Sequence, residues 1–188
     1  MANAPSDEQL LAAFVRGDSA MFAELVHRYE QPLHAFICRL SGRPGDAPDV
    51  FQETFVRAFQ HAASFRGDSS VKTWLYAIAA NVCRSRLRRA NDFQPLSDGQ
   101  AAERPDAADG PNGAAESTEL GRRIAAAVGV LPAEQREVFV LKAYEELSYP
   151  QIAEALGRPL GTVKSQMRLA LGKLRADLHQ IAQDYGLA

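Results

Sequence analysis

In the stretch LSYPQIAEALGRPLGTVKSQM, Leu147 to Met167, the polar residues Thr162, Lys164 and Ser165, followed by Arg168, come just after a Gly-Arg-Pro break. Hydroxyl, ammonium and guanidinium groups of this kind hydrogen-bond base edges and phosphates. A second set stands earlier in the chain. At roughly 100° per residue, Thr73, Ala77, Ala80, Asn81, Arg84 and Arg88 share one helical face. Small residues there admit a ligand closely, Asn can pair with a base edge, Arg can pair with phosphate or stack, and Phe65 just upstream offers an aromatic surface. The plainer reading of that face is a basic, solvated helix end, RSRLRR. A third set, Asp49, Gln52 and Glu53 with Val56 and Gln60, forms an acidic strip that either faces solvent or docks a basic helical partner.

No catalytic arrangement competes with these sets. GRPLGTVKS, Gly157 to Ser165, superficially suggests a phosphate loop, but that loop needs Gly, Lys and Ser/Thr in succession after a strand. Here Thr162 and Val163 intervene in helical sequence. Cys38 and Cys83 form no C-x-x-C pair, and His27, His34, His61 and His179 lie far apart. We expect reduced thiols, no metal, no cofactor and no enzymatic activity.

The elements that must position these residues are helices. Apolar spacings of three and four recur throughout and alternating strand patterns are missing, so the fold class is all-α. Ser6 and Asp18 are candidate caps for helices carrying Leu10, Leu11 and Phe14, then Phe22, Leu25 and Val26. A third helix after Pro48 places Phe51, Phe55, Ala58, Phe59 and Ala62 on a core face opposite the acidic strip. The loop SFRGDSS leads into a helix whose buried side is Trp74, Leu75, Ile78 and Val82.

Residues 92–119 are rich in Gly, Pro, Ala and acid and carry no sustained apolar period, which predicts a flexible acidic linker between two small helical domains, 1–91 and 120–188. In the second domain, Ile124, Val128 and Leu131 mark one helix, and Val138, Phe139 and Leu141 a second after Pro132. Ser148 with Gln151 forms a capping box, and Gly157 suits the left-handed residue that ends a helix. The last helix groups Leu160, Val163, Met167, Ala170, Leu171, Leu174 and Leu178 in one apolar arc, with Thr162, Ser165, Leu169 and Gly172 opposite and Lys164 and Arg168 flanking. Two short helices with a Gly-containing turn, the second polar at its start, match a helix-turn-helix. An antiparallel pair within a bundle is the alternative, for which Leu169 and Gly172 are odd choices.

The chain has 188 residues and a formal net charge of −2, but the charge is unevenly spread. Residues 51–91 carry 7 basic and 2 acidic groups, whereas 92–120 carry 1 and 7. Phosphate neutralisation dominates autonomous DNA affinity, so a pI near 6.1 argues that a second component supplies most of the grip on any nucleic acid. The amino terminus lacks a basic segment followed by an apolar one, and the longest apolar run is too short to span a bilayer, so a cytoplasmic location without membrane insertion is expected.

With the motifs placed, the chain resembles the extracytoplasmic-function group of bacterial sigma-70-type sigma factors. The segments GDSAMFAELVHRY, DAPDVFQETFVRAF and SFRGDSSVKTWLYAIAANVCRSRLRR resemble the domain that docks on polymerase and opens the −10 element. LPAEQREVFVLKAYEELSYPQIAEALGRPLGTVKSQMRLALGKLR resembles the −35-reading domain. The resemblance implies that Asp49, Gln52 and Glu53 meet core RNA polymerase, and that Asn81, with the loop residues Phe65, Arg66, Gly67, Asp68 and Ser69, holds a base flipped from the single-stranded −10 element. Arg84 and Arg88 fall in the same −10 region. Thr162, Lys164, Ser165, Arg168 and Leu169 would then face the duplex −35 element.

The family commonly has Arg at the positions of Gln166 and Leu169, and this chain has neither, which changes the −35 sequence expected but not the docking mode. Many members are held inactive by an anti-sigma factor, frequently membrane-anchored, so such a partner is implied beside polymerase and promoter DNA. Two other readings predict different behaviour: a helix-turn-helix activator or repressor would bind operator DNA alone, and a helical adaptor would bind no DNA at all.

Overall fold

The computed structural model describes residues 4–42, 44–92 and 119–184. The expected linker, 92–119, lies almost wholly outside the described residues. Among these, regular structure is entirely helical: α1 (Asp7–Val15), α2 (Ser19–Ser41), α3 (Ala47–His61), α4 (Val71–Asp92), α5 (Glu119–Gly129), α6 (Ala133–Ala143), α7 (Tyr149–Leu156) and α8 (Leu160–Asp184), with short 3-10 turns before and after α3.

Local chemistry starts and stops these helices where the sequence reading placed the signals. Ser6 caps α1 in a reciprocal box with Gln9, and Asp18 accepts from the Ala20 amide to open α2. Ser148 and Gln151 repeat the box at α7, which ends at Gly157 with φ 61°. That left-handed conformation carries little steric penalty in glycine, whereas a Cβ would meet the following carbonyl. Glu146, just before α7, takes φ 58° without that freedom.

Helices α1 to α4 pack around Leu10, Leu25, Leu33, Phe36, Ile37, Val50 and Leu75, all essentially inaccessible to water. Each fully buried side chain of this size contributes about 1.5–3 kcal/mol. Asp7 fastens α1 to α2, accepting from the Tyr29 hydroxyl at 2.5 Å and from Arg28 at 3.0 Å. Glu8 accepts from the Val71 amide at 3.2 Å and so ties α1 to the start of α4. In the second group Val138, Leu141, Ile152, Val163, Ala170 and Leu174 are buried.

Two separate small cores do not form. The buried residues of both groups join one continuous apolar cluster, and α4 of the first packs closely against α7 of the second. Three expected core positions are also open to solvent. Phe59 is 56% exposed, near the end of α3, where its ring stands against those of Phe14 and Phe22 at 5.0 and 5.4 Å. Leu160 and Leu171 are exposed because they sit roughly 60° around α8 from the centre of the stripe formed by Val163, Met167, Ala170 and Leu174. Leu178 lies where side chains are outside the described residues.

Candidate nucleic-acid and polymerase interface

The acidic strip on α3 stands outward as expected, with Asp49, Gln52, Val56 and Gln60 exposed. Glu53 is different. It accepts from Arg57 one turn on at 2.6 Å, and from Arg86 of α4 at 3.2 Å. Arg86 also reaches Asp49 at 3.3 Å. Burial works to raise the Glu53 carboxyl, but the hydrogen bonds from Arg57 and Arg86 outweigh it and hold the group below its ordinary range. Glu53 is therefore ionised but paired, and Arg86, which sequence reasoning left among a run of basic residues, joins Arg57 in offsetting the negative charge of the strip. Beside Gln52, an open apolar groove is lined by Phe22, Phe51, Phe55, Val56 and Phe59.

The loop before α4 presents Arg66, Gly67 and Asp68 to solvent, with Ser69 half-buried. Gly67 adopts φ 77°. The Phe65 ring is half-buried and packs on Trp74, centroids 5.2 Å apart, which anchors the loop to α4. Ser70 exchanges a hydrogen bond with the Thr73 hydroxyl at 2.9 Å, which holds the other end of the loop.

On α4 the structure joins Asn81 and Arg84, the guanidinium donating to the Asn81 carbonyl oxygen at 2.7 Å. Asn81 and Arg88 are exposed. Two of the small residues expected to admit a ligand are closed to one, since Ala80 is fully buried and Thr73 is 1% exposed, while Ala77 is half-buried. The reason lies in the stripe Lys72, Tyr76, Ala80, Arg84, four residues apart on one face of α4. Lys72 donates to the Glu145 carbonyl at 2.7 Å, the Tyr76 hydroxyl donates to the Glu145 carboxylate, and Arg84 lies 3.4 Å from Glu137. Both glutamates come from the second group of helices. Burial raises the Glu145 carboxyl above its usual range despite the Tyr76 hydrogen bond, and raises Glu137 despite Arg158 and Arg84. The i, i+4 spacing of these residues was the available sequence signal.

In the helix-turn-helix, α8 turns Val163, Met167, Ala170 and Leu174 inward and presents Lys164, Arg168 and Leu169 to solvent, Leu169 at 47% exposure. Thr162 and Ser165 are half-buried, and the Ser165 hydroxyl donates back to the Thr162 carbonyl at 2.8 Å, leaving its oxygen to accept. Gln166 is drawn aside to Glu134 at 3.2 Å. Arg158, in the turn, donates to Glu137 at 2.7 Å and braces the motif against α6. Among the described residues no three His, Cys, Asp or Glu side chains could hold a metal ion, and no helix is long and apolar enough to cross a membrane.

Residues 25–93 match the model of sigma-70 region 2, and residues 121–174 match that of sigma-70 region 4. An ECF RNA polymerase sigma-E factor of Haemophilus influenzae is 34% identical over 89% of this chain and 92% of its own. The sigma-E factor of Escherichia coli K12 is 34% identical over 86% and 88%. Among solved structures, CnrH in complex with the cytosolic domain of CnrY superposes with a TM-score of 0.68 at 28% identity, covering 94% of this chain and 99% of that one. The sigma factor RpoE of Bartonella quintana, in complex with the anti-sigma factor NepR, gives 0.67 at 26% identity, covering 84% and 96%. With region 2 matched on the helices that carry the acidic strip and Asn81, and region 4 on the helix-turn-helix, the chain belongs to the ECF sigma factors, the sigma-70-type proteins that direct promoter-specific transcription initiation.

Proposed function

We propose a division of labour within this sigma factor. The domain spanning 1–91 docks on core RNA polymerase through Asp49, Gln52 and Glu53, and captures an unpaired −10 base with Asn81 and the loop from Phe65 to Ser69, Arg84 and Arg88 contributing phosphate contacts. The domain spanning 120–188 reads the duplex −35 element with Thr162, Lys164, Ser165, Arg168 and Leu169. The protein performs no chemistry of its own; it works in the cytoplasm by lending promoter selectivity to polymerase.

The observation that carries this reading is the orientation of α8. Its apolar stripe is spent on the core, so the side chains left outward at the start of the second helix are cationic or small enough to enter a major groove. Two structural relatives were solved with an anti-sigma factor or the cytosolic domain of a partner. Control by an anti-sigma factor follows for this chain by the same likeness.

The reading is tested by mixing the purified chain with core polymerase, selecting promoters from a random-sequence pool and mapping the transcripts. Specific initiation that requires both components is the expected result. Tight, sequence-specific duplex binding by the chain alone at physiological salt would instead identify an autonomous activator or repressor.

A further inference from the structure

Asn81 is the one side-chain amide among the residues assigned to the −10 element, and an amide has two faces: its oxygen accepts and its nitrogen donates. Which face meets a base decides which base fits. Arg84, one helical turn on, settles that choice. A guanidinium carries five donors and no acceptor, so the Asn81 atom 2.7 Å from the Arg84 Nη2 is the oxygen and not the nitrogen. The guanidinium is itself held in place: its Nε donates to the Ala80 carbonyl at 3.3 Å and lies 3.4 Å from the buried Glu137 carboxylate. A hydrogen bond from a charged donor is roughly twice as strong as a neutral one. Asn81 is exposed, so its amide nitrogen is left facing outward.

Asparagine reads adenine through a bidentate pair, its oxygen taking the N6 amino group while its nitrogen gives to N7. That pair needs both amide atoms turned to the base. With the oxygen turned along the helix to Arg84, Asn81 offers N–H donors alone. These suit acceptors: O2 and N3 of an unpaired cytosine, O4 of thymine, or O6 and N7 of guanine. The N6 amino group of adenine finds no acceptor there. From this geometry we infer that Arg84 is a positioning residue for −10 readout, holding the Asn81 oxygen so that Asn81 selects an acceptor-bearing base and discriminates against adenine; this rests on the −10 assignment of Asn81 and adds the chemistry of the base it takes. A guanidinium with five donors can do this and still meet a phosphate.

The test reconstitutes holoenzyme from core polymerase and the full chain, and selects initiating promoters from a pool randomised across the −10 element. Asn81→Ala identifies the captured position as the one whose base preference it flattens. At that position the wild type should disfavour adenine. Arg84→Ala should free the Asn81 oxygen and raise the share of adenine about tenfold, the order of discrimination set by one bidentate pair. Arg84→Lys, which keeps a donor beside the oxygen, should retain the wild-type preference. Arg88→Ala removes a neighbouring cation without touching the amide, so it should lower initiation on all sequences and leave the preference unchanged. Should Arg84→Ala not fold, Arg84→Gln, which can accept as well as donate, takes its place. Enrichment of adenine by the wild type, an unchanged preference on loss of the guanidinium, or an equal shift in Arg84→Lys or Arg88→Ala would overturn the role of Arg84 while leaving base capture by Asn81 standing. If Asn81→Ala flattens no position, the −10 assignment of Asn81 fails and the positioning role fails with it.

Discussion

Arg86 of α4 sets its guanidinium 3.2 Å from Glu53 of α3, so the carboxylate nearest the middle of the docking strip is also a strut between two helices. Charge reversal there has two effects that must be separated. Asp49, whose side chain is 70% exposed, offers the cleaner substitution. Asp49→Lys and Gln52→Ala should weaken affinity for core polymerase, Gln52→Ala shifting stability by under about 0.5 kcal/mol and Asp49→Lys costing about 0.3–1 kcal/mol by placing a cation in the first turn of α3 beside Arg86. Glu53→Lys should weaken binding too, and cost about 1 kcal/mol or more by opposing Arg57 and Arg86. Titration with core enzyme beside denaturant unfolding distinguishes the two, and normal polymerase affinity in all three proteins would remove the docking face.

Asn81 offers a different handle, because its side-chain amide remains exposed while its oxygen accepts from Arg84. Asn81→Ala should slow open-complex formation about tenfold or more on duplex promoters, the loss of roughly 1.4 kcal/mol at the barrier. On a template already unpaired at −10 much of the rate should return, since melting no longer has to be driven by base capture. An equal defect on both templates would place Asn81 outside the melting step.

At the other end of the chain, Leu169 stands 47% exposed on α8 where solvent alone does not favour an apolar side chain. Leu offers only apolar contact, most usefully to a thymine methyl, whereas Arg can make two hydrogen bonds to guanine, and a good bidentate pair discriminates by about 1–3 kcal/mol. Leu169→Arg should therefore move the preferred −35 bases toward guanine, and Arg168→Ala should lower activity. Selection from promoters randomised at −35 checks both. Identical preferences for wild type and Leu169→Arg would exclude Leu169 from base readout.

Backbone conformation supplies a prediction about stability. Glu146 is exposed and holds φ 58°, a left-handed geometry that costs an L-residue about 1–2 kcal/mol. Glycine avoids that penalty but loses about 0.5–1 kcal/mol of unfolded-state entropy relative to alanine. Glu146→Gly should thus raise stability by about 0.5–1 kcal/mol, a rise of a few degrees in Tm. A lower Tm would show that the residue is held by contacts worth more than the strain.

Helix identity, capping and the helix-turn-helix were legible in the amino-acid sequence because each depends on neighbours three or four residues apart: Ser148 with Gln151, Gly157 at the stop, and the stripe of Val163, Met167, Ala170 and Leu174. Family membership was legible too, since the motifs that carry it are themselves contiguous. What only the tertiary structure decided are pairings across long separations. Arg86 meets Glu53 across 33 residues, Arg84 meets Glu137 across 53, and Tyr76 meets Glu145 across 69. Helical periodicity says which side of α4 carries Lys72, Tyr76, Ala80 and Arg84, but not whether solvent, DNA or a glutamate-bearing helix lies against it. That choice depends on how ion pairing and burial balance desolvation once the two groups of helices meet, and local sequence does not encode that balance.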